Sequence, residues 1–168
     1  KQEKWLSYSA RIIEFNGKKA VLGIATDITE SKQNQEKIRL SEIKYRNFVK
    51  HSSEGIFRLE FNAPVSIDLA ADVQVELIKN NVFIAECNSV FAKMYDVNDP
   101  AEIIGINTGD LKYKNPDETA RILKFVMNDY SIIEDEVSEY DDSGKEKNFV
   151  INIAGVIEGG CLTSIWGV

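Results

Sequence analysis

The stretch 148–157, Asn-Phe-Val-Ile-Asn-Ile-Ala-Gly-Val-Ile, limits the fold more than any other. It is nearly continuously apolar and rich in β-branched residues, and it falls well short of the roughly 20 apolar residues a membrane helix needs. It predicts a strand inside a sheet rather than at its edge. Glu158-Gly159-Gly160 turns the chain, and 161–168 predicts a returning strand. Upstream, 132–140 alternates as a strand does, and Asp141-Asp142-Ser143-Gly144 is a turn signal. The chain therefore ends in strands joined as hairpins, which implies an antiparallel sheet.

A block of short helices precedes these strands. Asn115-Pro116-Asp117-Glu118 predicts a helix start, with Asn as cap, Pro in the first turn and acids at the positive end of the dipole. Thr119, Ile122, Leu123 and Val126 form one face of the helix over 116–128. Asn88-Ser89 opens a helix carrying Phe91 and Tyr95, and Asp99-Pro100 opens a shorter one that Gly105 ends. Residues 56–61 and 82–87 predict two more strands. Between them Asn62-Ala63-Pro64 reads as an interruption, and Asp68 as the cap of a helix with Leu69, Val73 and Leu77 on one face. Strands set apart by a helical block predict an α+β fold.

The first third has a different character. Residues 5–14 and 20–27 predict two strands around Asn16-Gly17, the dipeptide a tight hairpin turn favours. A helix polar nearly all round follows to about Lys50, capped by Asp27 or Thr29, with Ile38 and Tyr45 on its sparse apolar stripe. Such a helix is a connector or pairs with a partner. Residues 12–23 and 156–167 match without a gap, as tandem domains would. The expected organisation is a closing hairpin of a preceding domain at 1–28, a linker helix at 29–50 and one full domain at 51–168. The chain begins at Lys1 rather than Met, and the notional cut falls inside that preceding domain.

Several segments resemble the PAS family of sensory domains. Gly23-Ile24-Ala25-Thr26-Asp27-Ile28-Thr29-Glu30 resembles the motif that closes a PAS domain. Ser41 to Val49 resembles the helix that opens the next, and His51-Ser52-Ser53-Glu54-Gly55-Ile56-Phe57 resembles the entry to its first strand. Asn88 with Phe91 and Tyr95 is similar to the pattern of its first short helix, and Asp141 to Gly144 to the hairpin before its penultimate strand. The extra helix between Pro64 and Asn88, and the final Trp166-Gly167, resemble a subgroup found in bacterial sensor kinases. The resemblance implies a five-stranded antiparallel sheet with helices on one face. It implies a pocket between the two layers and signal transfer through flanking helices. It also implies a cytoplasmic module, without enzyme activity, of a two-component signalling protein such as a sensor histidine kinase.

A net charge of −7 argues against a nucleic-acid partner. His51, the sole histidine, lacks the flanking run of a kinase phosphoacceptor, and 116–128 offers no histidine for haem. Cys87 and Cys161 are too few and too far apart for a disulfide framework or a zinc site. Cys87 also lies outside the helical Asn-Cys-Arg-Phe run of flavin-binding PAS domains, so neither haem nor flavin is expected. Glu134, Asp135, Glu136 and Glu139 are expected to form a solvated edge-strand face. Asn152, an amide within the most apolar strand, is a ligand contact or is paired within the protein. Phe125, Ile122, Asn152 and Trp166 are the expected pocket residues. Trp5, Leu22, Ile38 and Tyr45 are the expected contacts of a homodimer. The alternative to a small-molecule sensor is a ligand-free interaction domain.

Overall fold

The structure is a computed structural model that describes residues 3–168. It divides into two compact units, Lys1–Phe48 and Val49–Val168.

The first unit contains strands β1 (Leu6–Phe15) and β2 (Lys18–Asp27) and most of helix α1 (Thr29–His51). β1 and β2 pair antiparallel without a register shift, from Leu6↔Asp27 to Phe15↔Lys18. Asn16 and Gly17 have φ of 52° and 71°, the two left-handed residues of the predicted turn. Asp27 Oδ1 accepts from Thr29 N, and Thr29 Oγ1 accepts from Trp5 N. α1 buries none of its side chains, in keeping with its polar composition. Trp5, Leu22, Ile38 and Tyr45 are all exposed.

The second unit is built on strands β3 (Phe57–Ser66), β4 (Val82–Cys87), β5 (Ser131–Tyr140), β6 (Glu146–Glu158) and β7 (Cys161–Gly167). They form one sheet in the order β4-β3-β7-β6-β5, with every pair antiparallel. β6 lies inside the sheet between β5 and β7, where its apolar run placed it. Helices α2 (Ala71–Asn81), α3 (Ser89–Met94) and α4 (Glu118–Met127), with 3-10 turns at Pro100–Glu102 and Thr108–Asp110, complete the unit. Two apolar clusters join the layers. Val65, Ile78, Phe125, Leu162 and Ile165 anchor α2 and α4 on the sheet, and Ile84, Phe91, Ala92, Ile103 and Leu111 anchor α3 and the loop after it.

Four local expectations are corrected. β3 runs through Asn62-Ala63-Pro64 to Ser66, because its pairing with β7 skips from Glu60 to Val65 and the missing Pro64 N–H leaves no rung of that ladder empty. α2 starts after Ala70 without a side-chain cap. It buries Gln74, Val75 and Ile78, while Leu69 and Val73 face solvent. The face was misassigned because buried Gln74 is polar. It donates to the carbonyls of Ile67 and Leu69 and accepts from the Tyr130 hydroxyl at 2.7 Å. Regular α4 starts at Glu118, two residues after the expected Pro116, although Asn115 does cap the turn leading into it, its Oδ1 accepting from Asp117 N at 2.8 Å.

The fourth correction concerns β5. Ile132 pairs with Ile153 and Asp135 with Ile151, so Ile133 and Glu134 together oppose Asn152. Glu134 takes φ 52°, and Asn152 Oδ1 accepts its N–H at 2.9 Å. This bulge shifts the alternation by one residue. Ile132 is buried before it, Val137 and Glu139 after it. The four acids therefore do not share a solvated face, because Glu139 turns inward and is 7% exposed.

The two hairpins matched in sequence share turn chemistry but not register. Gly159 and Gly160 both take positive φ, like Asn16 and Gly17. The gapless match sets Asn16 against Gly160, one residue late, and β6–β7 pairing shifts after Val156 where β1–β2 pairing does not.

Candidate ligand site

A cavity of about 460 Å3 lies in the second unit, lined by residues of the sheet, of all three helices α2, α3 and α4, and of the loop between α3 and α4. An aromatic row crosses it. Phe57 of β3 meets Phe91 of α3 at 4.7 Å between ring centres, and Phe91 meets Tyr95 at 5.1 Å. Tyr95 then packs on Phe149 of β6 at 6.2 Å and on Tyr113 at 6.5 Å. Leu59, Leu111, Ile153 and Ile165 supply aliphatic wall.

Asn88 holds α3 in place beside the cavity. Its Oδ1 accepts from Ile56 N and Phe91 N, and its Nδ2 donates to the carbonyls of Val49 and Glu54. All four hydrogen-bonding positions of this 5% exposed amide are used. Two glycines let the walls close. Any Cβ on Gly167 would run into the Phe57 ring, and one on Gly55 would meet Met94 Sδ at 2.7 Å.

The charged groups sit at two depths. Asp96 accepts from Lys112 Nζ, Lys147 Nζ and the Tyr113 hydroxyl, and these three donors hold its carboxyl well below the ordinary range. Lys147 Nζ also donates to the Met94 carbonyl and stands 4.1 Å above the Tyr113 ring. Deeper, the Glu139 carboxyl and the Tyr95 hydroxyl lie close enough to act on each other's titration. Burial pushes the Glu139 carboxyl above its ordinary value, against the pull of Tyr95 and Arg121. Burial likewise lifts the Tyr95 hydroxyl far above its ordinary range.

Of the expected pocket residues, Ile122 and Phe125 line the cavity and Asn152 and Trp166 do not. Asn152 is engaged with the β5 bulge. Trp166 pairs with Arg58 across the β3–β7 ladder and lies under the Arg58 guanidinium, 5.6 Å away, on the sheet face turned from the helices. Sequence reasoning had placed Phe91 and Tyr95 on α3 without assigning them a wall. It missed Glu139, Arg121 and Phe149 as cavity residues.

Neither cysteine and no histidine is on the wall. Cys87 is half-buried, and burial pushes its thiol up to about 11. A flavin that forms a cysteine adduct therefore does not fit these residues. Among the described residues no cluster of metal-ligating side chains occurs, and no helix is long and apolar enough to cross a membrane.

No protein-family model matches the chain, and no curated protein matches it. Solved structures do. An RNA-binding Light-Oxygen-Voltage receptor superposes with a TM-score of 0.52 at 18% identity, covering 76% of this chain and 32% of that one. The chain has the PAS fold. It thus spans about a third of that receptor. A domain of a sensory box sensor histidine kinase/response regulator from Geobacter sulfurreducens is also similar, at 13% identity and a TM-score of 0.47 over 77% of this chain and 93% of that one. The PAS domain of an HTR-like protein from Haloarcula marismortui is similar at 12% identity and a TM-score of 0.45, over 81% and 95%. The five-stranded antiparallel sheet and its helices, expected from the PAS resemblance, are borne out.

Proposed function

We propose that the chain is a sensory and signal-transmission module of a bacterial signalling protein, in keeping with a sensor histidine kinase, and that a small ligand acts through the cavity of its PAS-fold unit. The observation that carries this reading is the cavity itself. Its volume falls within the roughly 300–1,000 Å3 of small-ligand sites, and its wall is mostly apolar with a few convergent polar groups. α1 is the output element in this reading, because Asn88 grips its last turn at Val49 while the neighbouring Phe91 lines the cavity. The module has no catalytic role of its own, and the cavity holds neither haem nor a photoreactive flavin.

The test is a titration of the chain with a panel of small apolar and amphiphilic fragments, followed by amide resonances. Shifts at cavity residues that extend to Val49 and the residues before it support the reading. Shifts confined to the cavity leave a binding site without an output, and a silent cavity rejects ligand sensing.

The second reading is a ligand-free dimerisation domain. It is favoured by the apolar side chains the first unit leaves open, among them Trp5 at 53% and Ile38 at 61% exposure. In this reading a second copy of the chain covers Trp5, Leu22, Ile38 and Tyr45, and the two open edges of the β1–β2 hairpin assist.

A further inference from the structure

Among the described residues, one buried side-chain oxygen or nitrogen lacks a hydrogen-bond partner, and it is Glu139 Oε2. Glu139 lies on the cavity wall and is 7% exposed. A buried acceptor without a donor is the group a ligand can satisfy at greatest gain.

The protein's own donors do not meet it. Tyr95 stands near the carboxyl, yet Oε2 receives no hydrogen bond from it. Lys147 is committed to Met94 O at 2.6 Å and to Asp96 Oδ1 at 2.7 Å. Arg121 acts on Glu139 only through space, forms no ion pair within 4 Å among the described residues, and also lines a second groove outside with Pro116, Lys124 and Tyr140. The other wall carboxyl, Glu118, has Lys79 at 3.9 Å. The cavity therefore offers at Glu139 an acceptor that none of these groups meets. The rings of Tyr95, Phe91 and Phe149 line the same cavity as Glu139. Aromatic rings carry the negative part of their quadrupole on their faces, which attract cations.

Resting on the reading of this cavity as the sensory site, we infer that its ligand is a small amine. The ammonium group donates to Glu139 Oε2, and a hydrocarbon or aromatic body lies along the Phe57–Phe91–Tyr95 row. An ammonium meets the orphan acceptor and neutralises the carboxylate in the same contact. A carboxylate ligand would face Glu139 and Glu118, and a plain hydrocarbon would leave Oε2 unmet. Burial already disfavours an ionised Glu139, and a bound cation reverses that preference.

Three probes of similar shape separate these cases: phenethylamine, 2-phenylethanol and 3-phenylpropionate. Each is titrated at pH 7 into the full chain, with binding read by calorimetry and by shifts of cavity resonances. The expected order is amine, then alcohol, then carboxylate, with the amine at least tenfold tighter than the alcohol. In Glu139→Gln, a near-isosteric change, the amine should fall to the alcohol's affinity while the alcohol's own affinity stays. If amine and alcohol bind equally to the unaltered chain, the cavity is a ligand site but Glu139 does not select, and this inference falls alone. If the carboxylate binds tightest, Arg121 governs the site and the inference falls. If no probe binds at millimolar concentration, the cavity reading falls and takes the inference with it. Should Glu139→Gln fail to fold, as a thermal melt would show, the ranking on the unaltered chain decides.

Discussion

The side-chain amide of Asn88 donates to the main-chain carbonyl of Val49 across 3.1 Å, joining the first turn of α3 to the last turn of α1. The same amide donates to Glu54 O, and its oxygen receives Ile56 N and Phe91 N. One side chain thus fixes where α1 ends, where β3 begins and how α3 is oriented.

Asn88→Ala removes this knot and orphans buried donors and acceptors at a cost of about 1–3 kcal/mol each, partly recovered by water. The expected result is a loss of roughly 2–4 kcal/mol in chemical denaturation. Amide exchange should quicken most over 49–56. A loss spread evenly over the sheet would show that Asn88 merely packs.

Glu139→Gln should raise stability at pH 7. The folded-state carboxyl titrates above the ordinary 4.5, so its contribution is fully present below that value and is lost as pH rises through the folded-state value. Unfolding midpoints measured from pH 4 to 8 should fall with pH for the unaltered chain more than for Glu139→Gln. Parallel curves would mean that Glu139 ionises freely in the fold.

Gly167→Ala sets a methyl group against the Phe57 ring. Overpacking of this kind costs on the order of 1–3 kcal/mol. Phe57→Leu combined with Gly167→Ala should recover part of that loss in a double-mutant cycle. Strict additivity would deny the contact.

Asn152→Leu should cost on the order of 1 kcal/mol, because Glu134 N loses its acceptor at the bulge. Probe binding in the cavity should change little, since Asn152 is not on the wall. A large change in affinity with unchanged stability would return Asn152 to the ligand.

A chain starting at Ser41 lacks the hairpin and the first half of α1. Light scattering should find it monomeric and the full chain dimeric. Equal masses per particle, relative to chain length, would remove the hairpin as the cause of association.

The hairpin pairing of the closing strands and the presence of the helices were legible because they follow from turns and periodicity, whereas the place of β3 beside β7 was not. Asn16-Gly17, Gly159-Gly160 and Asn88 each carry a local preference that no tertiary contact opposes. The cavity was only half legible. Ile122 and Phe125 advertise themselves by helical spacing, as apolar residues do. Glu139 did not, because a strand's inward face is counted from its ends and β5 contains an uncounted residue. Asn152 gave the only sign: a lone amide amid apolar neighbours marks something irregular opposite it, and here that was main chain rather than ligand. Gln74 misled in the same manner, a polar side chain buried to tie off loop carbonyls at Ile67 and Leu69.

The bulge at Ile133-Glu134 makes chain length a chemical variable. Removing one residue there would restore plain alternation. The turn after Tyr140 locks the register from Asp135↔Ile151 to Tyr140↔Glu146, so Glu139 would stay inward and Ile132 would turn over to solvent. No side chain of the cavity would have been substituted, yet the cluster that Ile132 shares with Phe125 would lose a member. Relatives that differ by one residue in this strand would then differ in what lies beneath the same walls. In this fold, a gap in an alignment can mark a change of packing as surely as a substitution does.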